Sequence, residues 1–148
     1  MTQHLVIASD ILLPELTRLL SEGKQVRFTP SGVSMRPFIE GDKDSVIIAP
    51  LTREPRRGDI LLVKLANNDK SARYVLHRLV RKDTSFCVLQ GDGNLIGEER
   101  CRCEDILGIV TAIERPDGRR KCLTNGRLWF FLKPIRKYLL KIYRKCVL

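Results

Sequence analysis

The sequence lacks any long apolar run. Nowhere do about 18 apolar residues follow one another, which is the length that a membrane-spanning helix needs. The N-terminal stretch MTQHLVIASDILLPELTRLL contains Asp10, Pro14, Glu15 and Arg18, and no basic region precedes an uninterrupted apolar core, so it does not have the pattern of a secretory signal. We therefore expect a cytoplasmic or peripherally membrane-associated protein.

Metal-binding side chains are few and poorly spaced. The five cysteines form an odd set without C-x-x-C spacing, and the imidazoles belong to His4 and His77. A zinc site needs clustered ligands, so we expect no metal and no cofactor. Free thiols in a reducing compartment are the expected state of the cysteines, which are Cys87, Cys101, Cys103, Cys122 and Cys146.

Acidic residues are absent from Arg127–Leu148, a tail that carries seven basic ones. The tail therefore supplies most of the formal net charge of +10. This uneven distribution differs from the evenly basic surface of a general nucleic-acid binder, so nucleic acid is not an expected partner. The tail is expected either to pack on the rest of the chain with a solvated basic face, or to lie on an anionic membrane surface, or to be recruited by a partner protein.

Hydrophobic periodicity separates helical segments from strands. Apolar residues at helical spacing predict an amphipathic helix over residues 10–22, with Gly23 where it ends. Helical spacing returns after Pro134, with apolar and basic residues on different sides. Between them, short apolar runs bounded by turn residues predict antiparallel strands at Val26–Phe28, Val46–Ala49, Ile60–Leu65, Tyr74–Val80, Phe86–Gln90 and Ile106–Ile113.

These elements predict a mainly β protein. We expect a compact antiparallel β domain over residues 25–126, preceded by an N-terminal helix within residues 1–24. A basic amphipathic C-terminal helix is expected over residues 127–148. At 148 residues, the chain is long enough for one structural domain with a core and too short for two ordinary ones.

The stretch GVSMRPFIEGD places Ser34 on a constrained bend. Gly32 permits backbone angles that are closed to other residues, and Pro37 stiffens the exit. Backbone N–H groups near Ser34 are therefore candidates for an oxyanion site, formed by Gly32 and Ser34 with a neighbour. Taken alone, however, a serine in such a stretch is more often a turn residue that hydrogen-bonds its own backbone.

Ser34 lies in the first of five stretches that resemble, in the same order, the elements of a known family. SGVSMRPFIEGD resembles the nucleophile box of the signal peptidase I and LexA-like serine peptidase superfamily, and RRGDILLVKL, YVLHRLV, QGDGN and ILGIV resemble its later elements. Each stretch is a weak signal, and together they cover roughly residues 26–114. The resemblance implies the compact antiparallel β fold of that superfamily, with Ser34 as the nucleophile.

His77 stands at the position of the general base. In many members of the family a lysine precedes the conserved arginine, whereas His77–Arg78 is similar to the Ser-His type of signal peptidase. An imidazole has an ordinary pKa of about 6.5 and needs little tuning to accept a proton. Lys64 is a competing base, although it lies on the strand that follows the Gly58–Asp59 turn and not at the family's base position.

Two acidic residues are candidates to orient the imidazole. The resemblance implies this role for Asp92, in the QGDGN stretch, and the alternative is an ordinary Asp-Gly turn. The Ser-His enzymes carry a further aspartate six residues later, where this chain has Glu98 with Glu99 beside it. The orienting residue is therefore Asp92 or Glu98.

The resulting expectation is a serine endopeptidase of the signal peptidase type. It would cut a peptide bond in an extended peptide or protein precursor, with small residues near the cut, and would need no cofactor. A LexA-like regulator that cleaves itself is the first alternative, for which the roughly 25 residues before the first strand leave little room for a DNA-binding domain. The second is a catalytically inactive module that binds a membrane or nucleic acid through its basic tail.

Overall fold

The computed structural model describes residues 9–122 and 130–147, in which the strands form one antiparallel sheet. Helix α1 spans Ser9–Ser21 and helix α2 spans Arg136–Val147. The strands are β1 (Val26–Phe28), β2 (Ser45–Ala49), β3 (Ile60–Ala66), β4 (Ala72–Lys82), β5 (Phe86–Gln90), β6 (Glu99–Arg102), β7 (Ile106–Glu114) and β8 (Arg120–Cys122). The prediction of a mainly β protein with a helix on either side of the strands is confirmed.

Strand β3 lies inside the sheet, whose order is β1-β2-β7-β3-β4-β5-β6, with β8 added beside β7. Its alternate residues enter two different apolar clusters. Ile60 and Leu62 pack with α1 through Leu16 and Leu20, whereas Leu61 and Val63 pack on the other face. The continuous apolar run of β3 therefore reflects burial on both faces of the sheet.

The predicted elements agree with the observed ones except in two strands and one helix end. All six predicted strands are present, but β6 and β8, with the sequences ERCR and RKC, were not predicted because they are mostly charged. The C-terminal helix was predicted over 127–148. Residues 130–131 are helical, turns follow at residues 132–135, and α2 spans Arg136–Val147. Residues 1–8, 127–129 and 148 of the predicted terminal helices lie outside the described residues.

The sequence predicted no membrane-spanning helix, and the lengths and apolarity of the observed helices can be compared with that prediction. Within residues 9–122 and 130–147, no helix is both long enough and apolar enough to cross a bilayer.

Candidate active site

Ser34 lies in the connection between β1 and β2, at the start of a tight turn. The N–H of Arg36 donates to the Val33 carbonyl oxygen at 3.2 Å, which closes the turn around Ser34. Gly32 has a φ of 92°, a conformation that favours glycine. The backbone N–H of Ser34 donates to no acceptor within the described part of the chain and is available to an oxyanion.

A glycine turn after β5 fixes the backbone of Ser34 from behind. The Gly93 N–H donates to the Ser34 carbonyl oxygen at 2.8 Å. A Cβ atom on Gly91 would lie 2.4 Å from the same oxygen, closer than real Cβ contacts allow. The two glycines of the QGDGN stretch therefore permit the close approach that positions the serine.

His77 comes from β4 and reaches the serine hydroxyl. His77 Nε2 lies 3.2 Å from Ser34 Oγ, within hydrogen-bond distance, although 43 positions separate the residues in the sequence. His77 is only 7% exposed. On the neighbouring strand its partner is Leu61, so the sheet fixes the backbone that carries the ring.

Burial tunes the imidazole towards its neutral form. The pKa of His77 is lowered below its ordinary value, chiefly because burial disfavours the charged ring. The negative charge of Glu99 raises this pKa, the positive charge of Arg73 lowers it, and Asp92 raises it by a smaller amount. The lowered pKa favours the neutral ring, which is the form that can accept a proton.

Glu99 is the carboxylate that faces the other ring nitrogen. Its Oε2 atom lies 3.7 Å from His77 Nδ1, and both atoms are buried without a hydrogen-bond partner. Its other oxygen, Oε1, is paired with Arg73 at 3.1 Å. A carboxylate can only accept hydrogen bonds, so its field favours the tautomer with the proton on Nδ1 and the lone pair on Nε2, facing Ser34.

Asp92, which the sequence predicted as a candidate orienting residue, forms an ion pair with Arg78. Both of its carboxylate oxygens accept from the Arg78 guanidinium at 2.7 Å, and Arg78 also donates to the Gly58 carbonyl oxygen. Burial raises the pKa of the Asp92 carboxyl, against the opposing charge of Arg78. This buried pair connects β4 to the glycine turn, and so Asp92 supports the site without a hydrogen bond to His77.

The other two candidates lie away from the imidazole. Glu98 is exposed, and it lines a surface concavity with Lys133 and Arg136. The carboxylate that faces the ring is therefore that of Glu99 and not that of Glu98, because successive side chains of an extended segment point in opposite directions. Lys64 is also exposed, and its strand partner is Tyr74, three residues or about 10 Å along β4 from His77.

A cavity and an open strand edge adjoin the serine. The cavity has a volume of about 300 Å³, and its walls are mostly apolar, with Phe28, Met35, Leu62 and Leu76 beside Ser34 and His77. Strand β4 is paired with β3 from Ala72 onward, but β5 joins it only from Arg78. Over residues 72–77, the second edge of β4 has no strand partner among the described elements.

Comparison with known proteins adds no relative. No family model, no curated protein and no solved structure matches the chain. In the described residues, no group of three or more histidine, cysteine, aspartate or glutamate side chains is arranged to hold a metal ion.

Proposed function

We propose that this protein is a serine endopeptidase of the signal peptidase type, with Ser34 as nucleophile and His77 as general base. The observation that carries the proposal is the 3.2 Å separation of Ser34 Oγ from His77 Nε2. A serine hydroxyl is a weak nucleophile at neutral pH, and a neutral imidazole at hydrogen-bond distance is the group that activates it. The lowered pKa of His77 supports this role.

The reaction follows from these two groups. Nε2 takes the hydroxyl proton as Ser34 Oγ attacks the scissile carbonyl carbon, and the negative oxygen of the tetrahedral intermediate accepts from the Ser34 backbone N–H and a neighbouring donor. The C–N bond then breaks, and the imidazolium returns the proton to the leaving amine. Water hydrolyses the resulting ester by the same route. Glu99 stabilises the imidazolium across Nδ1.

An extended peptide is the substrate that suits the surroundings of the serine. The open edge of β4 at residues 72–77 offers backbone hydrogen-bonding groups to an added strand. The apolar cavity beside Ser34 can receive a side chain of that strand. The resemblance of five stretches to signal peptidases supports a precursor or leader peptide as the substrate. The route needs no cofactor, because Ser34 itself carries the acyl group between the two steps.

Acylation of the serine tests the proposal directly. We expect a serine-directed acylating probe to modify Ser34 in the native protein, with mass spectrometry locating the adduct. Ser34→Ala abolishes the reaction, and His77→Ala slows it by roughly 10²- to 10⁴-fold because the general base is lost. Ser31→Ala is the matched control, since Ser31 lines the same cavity, whereas the hydroxyl within hydrogen-bond distance of His77 is that of Ser34.

Two outcomes would contradict the proposal. One is an adduct at another residue that persists in Ser34→Ala. The other is equal acylation rates in His77→Ala and the native protein. Circular dichroism of each variant separates a chemical defect from a folding defect.

A further inference from the structure

Helix α2 presents three different sides. One side packs on the sheet domain: Leu140 is 2% exposed, the Arg136 guanidinium donates to the Asn94 carbonyl oxygen at 2.8 Å, and the Tyr143 hydroxyl donates to Glu40 at 2.9 Å. The contacted residues belong to the glycine turn and to the Ser34 loop. The helix is thus held in one orientation by the same segments that build the candidate active site.

A second side of α2 exposes large apolar residues to solvent. Tyr138 is 66% exposed and Ile142 is 59% exposed, and they are four positions apart, so they lie one above the other. Leu139 and Ile135 continue this apolar side at 36% and 48% exposure. Such a contiguous apolar surface beside a polar one marks an interaction site.

The third side is basic. Lys137, Lys141, Arg144 and Lys145 line a surface concavity with Leu95, and α2 contains no acidic residue. Each basic side chain has a long apolar stem, so its charge can lie at a different depth from its backbone. The exposed surface of the helix therefore combines an apolar side with an adjoining cationic side.

From this surface, we propose that α2 docks the protein on an anionic lipid bilayer. The apolar residues would enter the boundary between headgroups and acyl chains, and the lysines and arginine would contact lipid phosphates and carboxylates. Tyr138 suits this boundary because its ring is apolar and its hydroxyl is polar. A nucleic acid would neutralise the basic side but leave the apolar side in water, which favours the bilayer as the occupant.

The orientation of α2 has a consequence for the site. Because its packed side contacts the Asn94 and Glu40 segments, docking holds the Ser34 loop at a fixed position relative to the lipid surface. The proposal does not depend on peptidase activity, since it concerns the outer sides of α2 only.

Vesicle flotation with the full chain tests the docking. We expect binding to vesicles that contain about one-third phosphatidylserine, little binding to phosphatidylcholine alone, and weaker binding as the salt concentration rises. The double variant Tyr138→Ser, Ile142→Ser lowers the partition coefficient at least about tenfold because apolar burial is lost. The double variant Lys137→Gln, Lys141→Gln lowers it about fivefold per removed charge.

Matched controls lie on the sheet. Phe86 is 44% exposed and Lys64 is also exposed, so Phe86→Ser and Lys64→Gln make the same kinds of change away from α2. We expect both controls to bind like the native protein. Thermal unfolding of every variant checks that the exposed substitutions leave the fold intact.

Three results would overturn the docking proposal. The first is equal binding to neutral and anionic vesicles. The second is native-like binding by the Tyr138→Ser, Ile142→Ser variant, which would leave the apolar side without a role. The third is duplex DNA binding that competes with vesicles and survives the same variant, which would identify a polyanion site. Acylation of Ser34 is measured in parallel, so failure of the docking and failure of the peptidase proposal are distinguishable.

Discussion

At the residue scale, two buried atoms without hydrogen bonds face each other across 3.7 Å: His77 Nδ1 and Glu99 Oε2. Unpaired buried polar atoms cost free energy, and functional sites are where such a cost is found. A small movement of the ring or the carboxylate would join them in a charge-assisted hydrogen bond, which becomes stronger when His77 is protonated. Glu99 is therefore a positioning residue in the proposed reaction.

The pH dependence of cleavage follows from the charges around His77. Burial lowers the pKa of the ring, so the acid limb of the rate profile has its midpoint below about 6.5, and activity is lost as the pH falls through it. Glu99→Gln removes a charge that raises this pKa, so the midpoint moves to still lower pH. The maximal rate also falls, by roughly 10- to 100-fold, because the imidazolium loses its charged neighbour.

Cleavage rates measured against pH give both the midpoint of the acid limb and the maximal rate. NMR follows the titration of the His77 ring in Ser34→Ala. Glu98→Gln is the control, since Glu98 is exposed, and it leaves the profile unchanged. An acid limb that appears only above about pH 9 would point to a lysine base such as Lys64.

Sequence reasoning reached Ser34 and His77 but not Glu99, and the difference has a physical cause. The serine lies in a turn with a distinctive glycine pattern, and the histidine lies in an alternating strand, so both have local signatures. Glu99 begins β6, where it pairs with Leu89, and this strand has little apolar alternation. Whether Glu98 or Glu99 points inward depends on a one-residue register that a charged strand does not specify.

At the scale of elements, the QGDGN turn and the Ser34 loop are packed backbone against backbone. Gly91 and Gly93 make this close packing possible. A Cβ on Gly93 would lie 2.9 Å from the Val33 carbonyl oxygen, as one on Gly91 would meet that of Ser34. The resemblance implied that Ser34 meets His77, but the packing of the QGDGN turn on the Ser34 loop could not be predicted, since it joins residues far apart in the chain. The sequence therefore predicted the positions of the strands better than the contacts between the loops that join them.

A methyl group at Gly91 is expected to displace the serine. In Gly91→Ala, the new Cβ meets the Ser34 carbonyl oxygen, so the free energy of unfolding falls by about 1–3 kcal/mol and acylation by the folded protein slows markedly. Gly97→Ala is the control: Gly97 has a φ of 98° with no atom near its Cβ position, so strain lowers stability by about 1–3 kcal/mol without moving Ser34. Urea unfolding measures the stability of the two variants, and acylation by each folded variant measures the position of Ser34. Equal acylation rates in the two variants would contradict the steric role of Gly91.

The Asp92–Arg78 pair is expected to matter for stability. Asp92→Asn leaves the Arg78 charge buried, at 2% exposure, without its counter-charge, which lowers the free energy of unfolding by about 3–5 kcal/mol. Urea unfolding measures the loss. Arg119→Gln breaks an exposed ion pair with Asp117 and changes stability by no more than about 1 kcal/mol. If Asp92→Asn instead shifted the acid limb of the rate profile as far as Glu99→Gln does, Asp92 would be the orienting residue.

At the scale of the whole molecule, the two faces of the sheet differ in chemistry. The face covered by α1 is aliphatic and contains Met35, whereas the other face includes the thiols of Cys87 and Cys101. Cys87 Sγ also lies 3.7 Å from Cys103 Sγ, and all five cysteines are free thiols. The sequence predicted free thiols but could not tell which of them are buried, because that depends on the β5–β6 register.

The rate at which each thiol is alkylated should distinguish the buried cysteines from the exposed ones. Burial raises the pKa of Cys87 to about 12 and that of Cys101 to about 11, so an alkylating reagent at neutral pH spares both in the folded protein. Cys122 and Cys146 are exposed and react first. Peptide mapping after timed alkylation measures each rate, and all five thiols react in urea. Labelling of Cys87 as fast as Cys146 in the folded state would contradict the described core.

The chain of contacts from Arg36 through Glu40 to Tyr143 links the serine loop to the C-terminal helix. Hydrogen exchange detects segments that open together, and contiguous elements joined by buried contacts form such cooperative units. Loosening of α2 removes the Tyr143 hydroxyl from Glu40, so we expect amide protection around Glu40 to fall when α2 opens. The helix thereby adds an outer brace to the segment that follows Ser34, whose own backbone is held by Gly93.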